Sequence, residues 1–213
     1  MTPWGELRGL HPWPARNPNF ATRPHGWLSP GTKEMLLRFL VNGTEVIELG
    51  SWLGRSARFM LDNCSRLRLV CVDHWMTEPG GSNELRTQQY AEFRDGLYEK
   101  FLTACWPYRD RIVPILASTT AGMWRCRVAN LRPSMIYVDA SHEAEHVRGD
   151  IQIARQYFPA AVLVGDDWRL DSVKAGVELA SRSLQDGNFT TNSHAWAFIP
   201  AGGSCDVDVP PTG

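Results

Sequence analysis

Short apolar runs alternate with stretches of helical periodicity along most of this chain, and that alternation narrows the folds open to it. Glu45–Ile47, Leu67–Val72, Arg111–Ala117, Ser134–Val138 and Ala160–Val164 read as strands, the second broken only by Arg68. Between them, Val147, Ile151, Ala154 and Phe158 recur at helical spacing, as do Val173, Val177, Ala180 and Leu184. Gln89–Ala104 and Thr119–Asn130 read as two further helices. Upstream, Ser29-Pro30 has the form of an N-cap followed by proline at the first helical position, leading into Met35, Leu36, Phe39 and Leu40 until Asn42-Gly43 ends the helix. Asp186-Gly187 turns the chain into Phe189–Asn192 and Ala195–Ile199, an antiparallel pair. The expected fold is α/β: a Rossmann-like, doubly wound, mostly parallel seven-stranded sheet with helices on both faces and its last strand antiparallel.

The first strand runs into Glu48-Leu-Gly-Ser-Trp-Leu-Gly-Arg-Ser56. This reads as strand, tight glycine turn, helix. Gly50 and Gly54 permit backbone angles that other residues resist and let a ligand approach the main chain. The helix beyond offers unpaired N–H groups to a polar ligand. Glu48 does not suit a phosphate; it suits a cationic or hydroxyl-bearing ligand. A dinucleotide turn wants G-x-G-x-x-G, and Trp52 stands where the second glycine belongs.

Ligands of doubly wound sheets bind beyond the carboxyl ends of the strands. Those ends carry Glu48, Asp73, Ala117-Ser118, Asp139 and Asp166-Asp167, acids at four of the five. An acid at the end of the second strand, Asp73, can accept hydrogen bonds from both hydroxyls of a ribose. His74 or Trp75 would flank the base. Three carboxylates at Asp139, Asp166 and Asp167 repel one another unless a cation joins them, and all-oxygen ligation suits Mg²⁺. Asp166 and Asp167 are neighbours and cannot both point straight along the strand; a turn at Gly165 would let both reach inward. An imidazole beside such an ion, His142, could take a proton from a bound hydroxyl.

Glu48-x-Gly-x-x-x-Gly-x-Ser56 resembles the first motif of class I S-adenosylmethionine (SAM) methyltransferases. Asp139-Ala-Ser-His142, with the acid-rich helix through Asp150-Ile151, and Gly165-Asp166-Asp167-Trp168 resemble two segments of a small O-methyltransferase subfamily related to macrolide-sugar methyltransferases and cephalosporin-biosynthesis proteins. The resemblance covers about residues 27 to 180; Pro159-Ala160-Ala161 departs from it where a Gly-Gly pair is common. It implies SAM binding by Glu48, Gly50, Ser51, Gly54 and Ser56 of the motif, by Asp73 at the ribose with His74 beside it, and by Ser118 and Asp139. It implies a divalent ion, Mg²⁺, held by Asp139, Asp166 and Asp167, with His142 as the catalytic base. The implied acceptor is a small hydroxylated metabolite, a sugar or natural-product intermediate. Two alternatives stand beside this: a SAM-binding relative with lost or different catalysis, and a zinc metallohydrolase. The second follows from His142-Glu143-Ala-Glu-His146, which matches H-E-x-x-H, although Gln152 stands where a third histidine would bind. His146 otherwise reads as a surface histidine or one behind the site, and His194 as a structural one.

The formal net charge of -1 provides no field for nucleic acid, and no apolar run approaches the roughly 20 residues of a membrane span. Five scattered cysteines without a C-x-x-C pair suggest reduced thiols and a cytoplasmic protein. Residues 1–28, with Trp4, Trp13, Phe20 and Trp27 among prolines and arginines, show no periodicity. They read as an arm: packed over the surface, closing a substrate pocket as a lid, or reaching a second copy in a homo-oligomer. Residues 29–201 form the expected SAM-binding domain, and 202–213 a disordered tail.

Overall fold

The computed structural model describes residues 1–22, 25–76, 95–182, 184 and 188–201. Seven strands form one sheet: β1 (Glu45–Leu49), β2 (Arg68–Asp73), β3 (Ile112–Leu116), β4 (Met135–Val138), β5 (Val162–Gly165), β6 (Asn188–Thr191) and β7 (Trp196–Ile199). Their order is β3-β2-β1-β4-β5-β7-β6. β1 to β5 pair in parallel, and β7 runs antiparallel to both β5 and β6. The chain therefore winds outward from β1 in both directions, and the crevice at the carboxyl ends opens between β1 and β4.

The side-chain period of two sorts the strands onto two buried layers. Leu69, Cys71, Met135, Tyr137 and Val164 face one layer. It is covered by α2 (Pro30–Phe39), α3 (Arg55–Asn63) and α4 (Leu97–Cys105). Ile47, Val70, Val113, Ile136 and Leu163 face the other. Its cover is α1 (Pro3–Leu10), α5 (Thr119–Val128), α6 (Ala144–Tyr157) and α7 (Asp171–Ser181). Helix α2 begins as its sequence dictates: Ser29 Oγ accepts the Thr32 N–H at 3.0 Å and Pro30 opens the first turn. The expected spacing of Val147, Ile151 and Ala154 on α6, and of Val173, Val177 and Ala180 on α7, places all six in the buried layer.

The structure corrects four expectations. Residues 1–28 contain a helix, α1, capped by the Thr2 side chain. Only two of its side chains are buried, Trp4 and Leu7, too few to register as a period. The fifth strand starts at Val162 because Phe158 to Ala161 closes a turn (Ala161 N–H to Phe158 O, 3.1 Å). Glu48 is not the last residue of β1: the strand continues through Leu49, and Glu48 pairs in register with Cys71 and Tyr137. The turn after β5 is made by Asp167, at φ +58°, rather than by Gly165. A Cβ on Gly165 would lie 2.0 Å from the Trp196 ring, so that glycine serves packing. The predicted helix from Gln89 coincides with α4 only from Leu97 onward, because Gly96 at φ +64° breaks the helical path; residues 89–94 lie outside the described residues, with the Asp186-Gly187 turn and the 202–213 tail.

Candidate active site

The turn after β1 is held by backbone contacts that explain its glycines. Gly50 takes φ +87°, and a Cβ there would stand 2.0 Å from the Asp139 carbonyl oxygen. Only glycine lets the ends of β1 and β4 approach this closely. Gly54 precedes α3 at φ +73°. Trp52, between them, also has a left-handed backbone at φ +46°, an uncommon state for a bulky residue. Three contacts hold it. Its N–H donates to Asp73 Oδ2 at 2.8 Å, its carbonyl accepts from Trp75 Nε1 at 2.7 Å, and its indole N–H donates to His25 Nδ1 at 3.1 Å. Strain at Trp52, Trp75 (φ +42°) and Asp167 thus gathers at the carboxyl end of the sheet.

Asp73 accepts the Trp75 N–H through Oδ1 at 2.7 Å as well. A carboxylate offers about four lone-pair sites, so each oxygen retains capacity for a ligand hydroxyl. His74 is half exposed beside it, its Nδ1 accepting the Met76 N–H at 3.0 Å. Ser118 caps α5 by accepting the Ala121 N–H at 3.3 Å. Glu48 is fully buried; Ser56 Oγ donates to its Oε1 at 2.5 Å and Cys71 Sγ stands 3.4 Å from its Oε2. Burial pushes its carboxyl above the usual range, while the hydrogen bonds from Ser56 and Cys71 work against that rise. Glu48 and Ser56 therefore brace the turn from beneath, with Ser51 buried beside them.

The second half of the site lies at the ends of β4 and β5. Asp139, His142 and Asp167 present ligand atoms that all lie within 4.8 Å of one another. His142 Nε2 is 2.7 Å from Asp167 Oδ2. Burial, then the charges of Asp166 and Asp167, holds the Asp139 carboxyl well above its ordinary range. Asp166 is also raised, chiefly by burial. Of the three acids expected to converge, Asp139 and Asp167 do so with His142. Asp166 turns one oxygen aside: Oδ1 accepts the Thr32 hydroxyl at 2.6 Å and the Asp167 N–H at 2.8 Å. The fully buried Tyr137 hydroxyl reaches Asp139 Oδ2 at 3.1 Å and Asp166 Oδ2 at 3.3 Å. It has one proton for two acceptors. This donor set fits a divalent cation: crowded carboxylates, two of them resisting ionisation, with the Tyr137 hydroxyl as the donor those two share.

Thr32 and Tyr137 were not expected at the site. Tyr137 could have been found, since residues i and i+2 of a strand share a face and Asp139 follows it by two. Thr32 lies too far away in sequence for any spacing rule. The zinc alternative fails on geometry. Helix α6 begins at Ala144, so His142 precedes it and shares no helical face with His146, whose Nδ1 lies 3.0 Å from Ser141 Oγ. Among the described residues, no helix is long and apolar enough to cross a membrane.

A protein-family profile described as "Methyltransferase domain" matches residues 47–168. No curated protein matches the chain by sequence. Solved structures share the fold at low identity. A SAM-dependent O-methyltransferase from Thermotoga maritima is 11% identical at a TM-score of 0.54, with 83% of this chain and 68% of that one covered. A precorrin-6y C5,15-methyltransferase from Geobacter metallireducens is 12% identical at 0.50, covering 87% and 97%. A fibrillarin pre-rRNA processing protein from Methanococcus jannaschii is 14% identical at 0.52, covering 77% and 69%.

Proposed function

The chain belongs to the methyltransferase domain family, whose cofactor is SAM, and on that premise we propose that it methylates a hydroxyl group of a small metabolite, with His142 as base and a divalent cation at the Asp139–Asp167 cluster. The observation that carries this reading is the meeting of Asp139, His142 and Asp167 at the β4 and β5 ends, beside the glycine turn, where Gly50 packs against the Asp139 carbonyl. SAM, when bound, supplies a methyl group on a sulfonium, which leaves the protein to align it and to remove one proton. Asp73 would hold the ribose and the Gly50 turn the methionine portion. A cation at Asp139 and Asp167, Mg²⁺ by the oxygen character of the acids, would neutralise their charge and acidify a nearby hydroxyl.

The protein's own groups carry the remaining steps. His142, at the mouth of the cluster, receives the acceptor proton. Asp167, 2.7 Å from its Nε2, orients the ring and favours the imidazolium that results. Tyr137, fully buried, closes the floor of the site to bulk water, and the partly exposed Asp139 keeps it polar. The acceptor class rests on the motif resemblance and on the O-methyltransferase among the structural neighbours. The test uses methyl transfer from SAM across a panel of hydroxylated sugars and phenols. Activity on such an acceptor should vanish with EDTA and return with Mg²⁺. His142→Ala should lower kcat by about 10²–10⁴-fold while leaving S-adenosylhomocysteine affinity intact. Full turnover in EDTA removes the metal from this reading, and full turnover in the alanine variant removes the base.

A further inference from the structure

Thr32 lies in the first turn of α2, in neither cofactor motif, and has no exposed surface. Its hydroxyl is 2.6 Å from Asp166 Oδ1 and 2.7 Å from Ser29 Oγ. A hydroxyl has one proton to donate. Thr32 directs its proton to the carboxylate, so Ser29 must donate to Thr32, while Ser29 Oγ accepts the Thr32 backbone N–H at 3.0 Å. The first turn of α2 thus delivers a directed hydroxyl chain onto one oxygen of Asp166. With the Asp167 N–H on the same oxygen at 2.8 Å, Oδ1 is doubly engaged. The carboxylate plane is fixed, and Oδ2 is left facing the Tyr137 hydroxyl and, through it, Asp139.

We infer that Thr32 is a positioning residue of the acidic cluster: its hydroxyl fixes the carboxylate plane of Asp166, and with it the Asp167 backbone and the Asp139 side of the cluster. This rests on the reading of that cluster as a divalent-cation site. Capping does not require the hydroxyl, because the cap bond joins Ser29 Oγ to the Thr32 backbone N–H. Packing does not require it either, since valine has nearly the same shape. Groups that orient metal ligands typically alter metal affinity by about 10–100-fold when removed.

Mn²⁺ alone serves as the probe, with free ion counted by electron paramagnetic resonance against the full chain. Thr32→Val should weaken Mn²⁺ binding by about 10–100-fold. Thr32→Ser, which keeps the hydroxyl, should stay close to the wild type. S-adenosylhomocysteine affinity, measured by calorimetry, should be the same in all three proteins. Equal Mn²⁺ affinity in the valine variant overturns the inference, and so does a matching loss of S-adenosylhomocysteine affinity, which marks general damage. A wild type that binds no Mn²⁺ overturns the cation reading as well, so the two failures are distinguishable. If the valine variant does not fold, Thr32→Ala takes its place with the same readouts and outcomes.

Discussion

Asp73 has two tasks at the end of β2, and they can be separated. Its carboxylate holds the strained turn through the Trp52 N–H and tethers Trp75, and its remaining lone-pair sites can accept from ligand hydroxyls. Asp73→Ala removes both functions. The lost hydrogen bonds to a charged acceptor are worth about 1.5–3 kcal/mol, or roughly 10–150-fold in S-adenosylhomocysteine affinity by calorimetry. Asp73→Asn keeps one acceptor oxygen and should lose less. Unchanged affinity in the alanine variant would place the ribose elsewhere. That Asp73 ends the second strand was legible in the sequence; its hold on the Trp52 and Trp75 N–H groups was not, because it depends on the left-handed backbone at both tryptophans. Glu48 was legible as a motif residue but not as a buried one: its neighbours Cys71 and Tyr137 come from two other strands, and only the register brings them together. The partnership of His142 with Asp167 was equally out of reach, because it depends on the left-handed backbone at Asp167, which no side-chain pattern announces.

Among the elements, the seam between α5 and α6 carries a buried titratable group outside the active site. Asp150, buried on α6, accepts the Thr119 hydroxyl from the start of α5 at 2.6 Å. Burial pushes its carboxyl up to about 6, opposed by the Thr119 hydrogen bond and by the nearby His146. A carboxyl raised in the folded protein binds its proton more tightly there than in the unfolded chain. Its contribution to stability is therefore greatest below the ordinary carboxylate range and is lost as pH rises from about 4 to about 6. Asp150→Asn keeps an acceptor for Thr119 and cannot ionise. Urea unfolding should show the wild type losing stability over that window relative to the variant, which should be more stable at pH 7.5 by on the order of 2 kcal/mol. Parallel pH profiles for the two proteins would rule the assignment out. The helices themselves were readable from spacing, since Val147, Ile151 and Ala154 form a continuous buried face. Asp150 lies on that face among them, and sequence alone does not show which α5 hydroxyl meets it.

At the scale of the whole molecule, the N-terminal segment connects the two ends of the sheet. Its first part belongs to the edge opposite the active site. Trp4 and Leu7 are buried against the core, Arg68 lies over the Trp4 ring, and Trp13 Nε1 donates to Ile112 O at 2.9 Å where β3 begins. Its last part reaches the glycine turn, where His25 accepts from the Trp52 indole and Arg55 Nη1 donates to Gly26 O at 2.5 Å. The two parts therefore meet different ends of the sheet. The first should act on stability and the last on the cofactor. Leu7→Ala leaves a cavity in a fully buried position and should cost about 2–5 kcal/mol, which lowers Tm by several degrees in a chain of this size. S-adenosylhomocysteine affinity of the folded variant should not change. His25→Ala removes the acceptor that holds the Trp52 ring and should weaken that affinity while shifting Tm far less. Calorimetry and thermal melts on the same two proteins decide the matter. If both substitutions lower Tm and neither alters affinity, the whole segment is a structural strap; if Leu7→Ala weakens affinity at unchanged Tm, the division between its two ends is wrong.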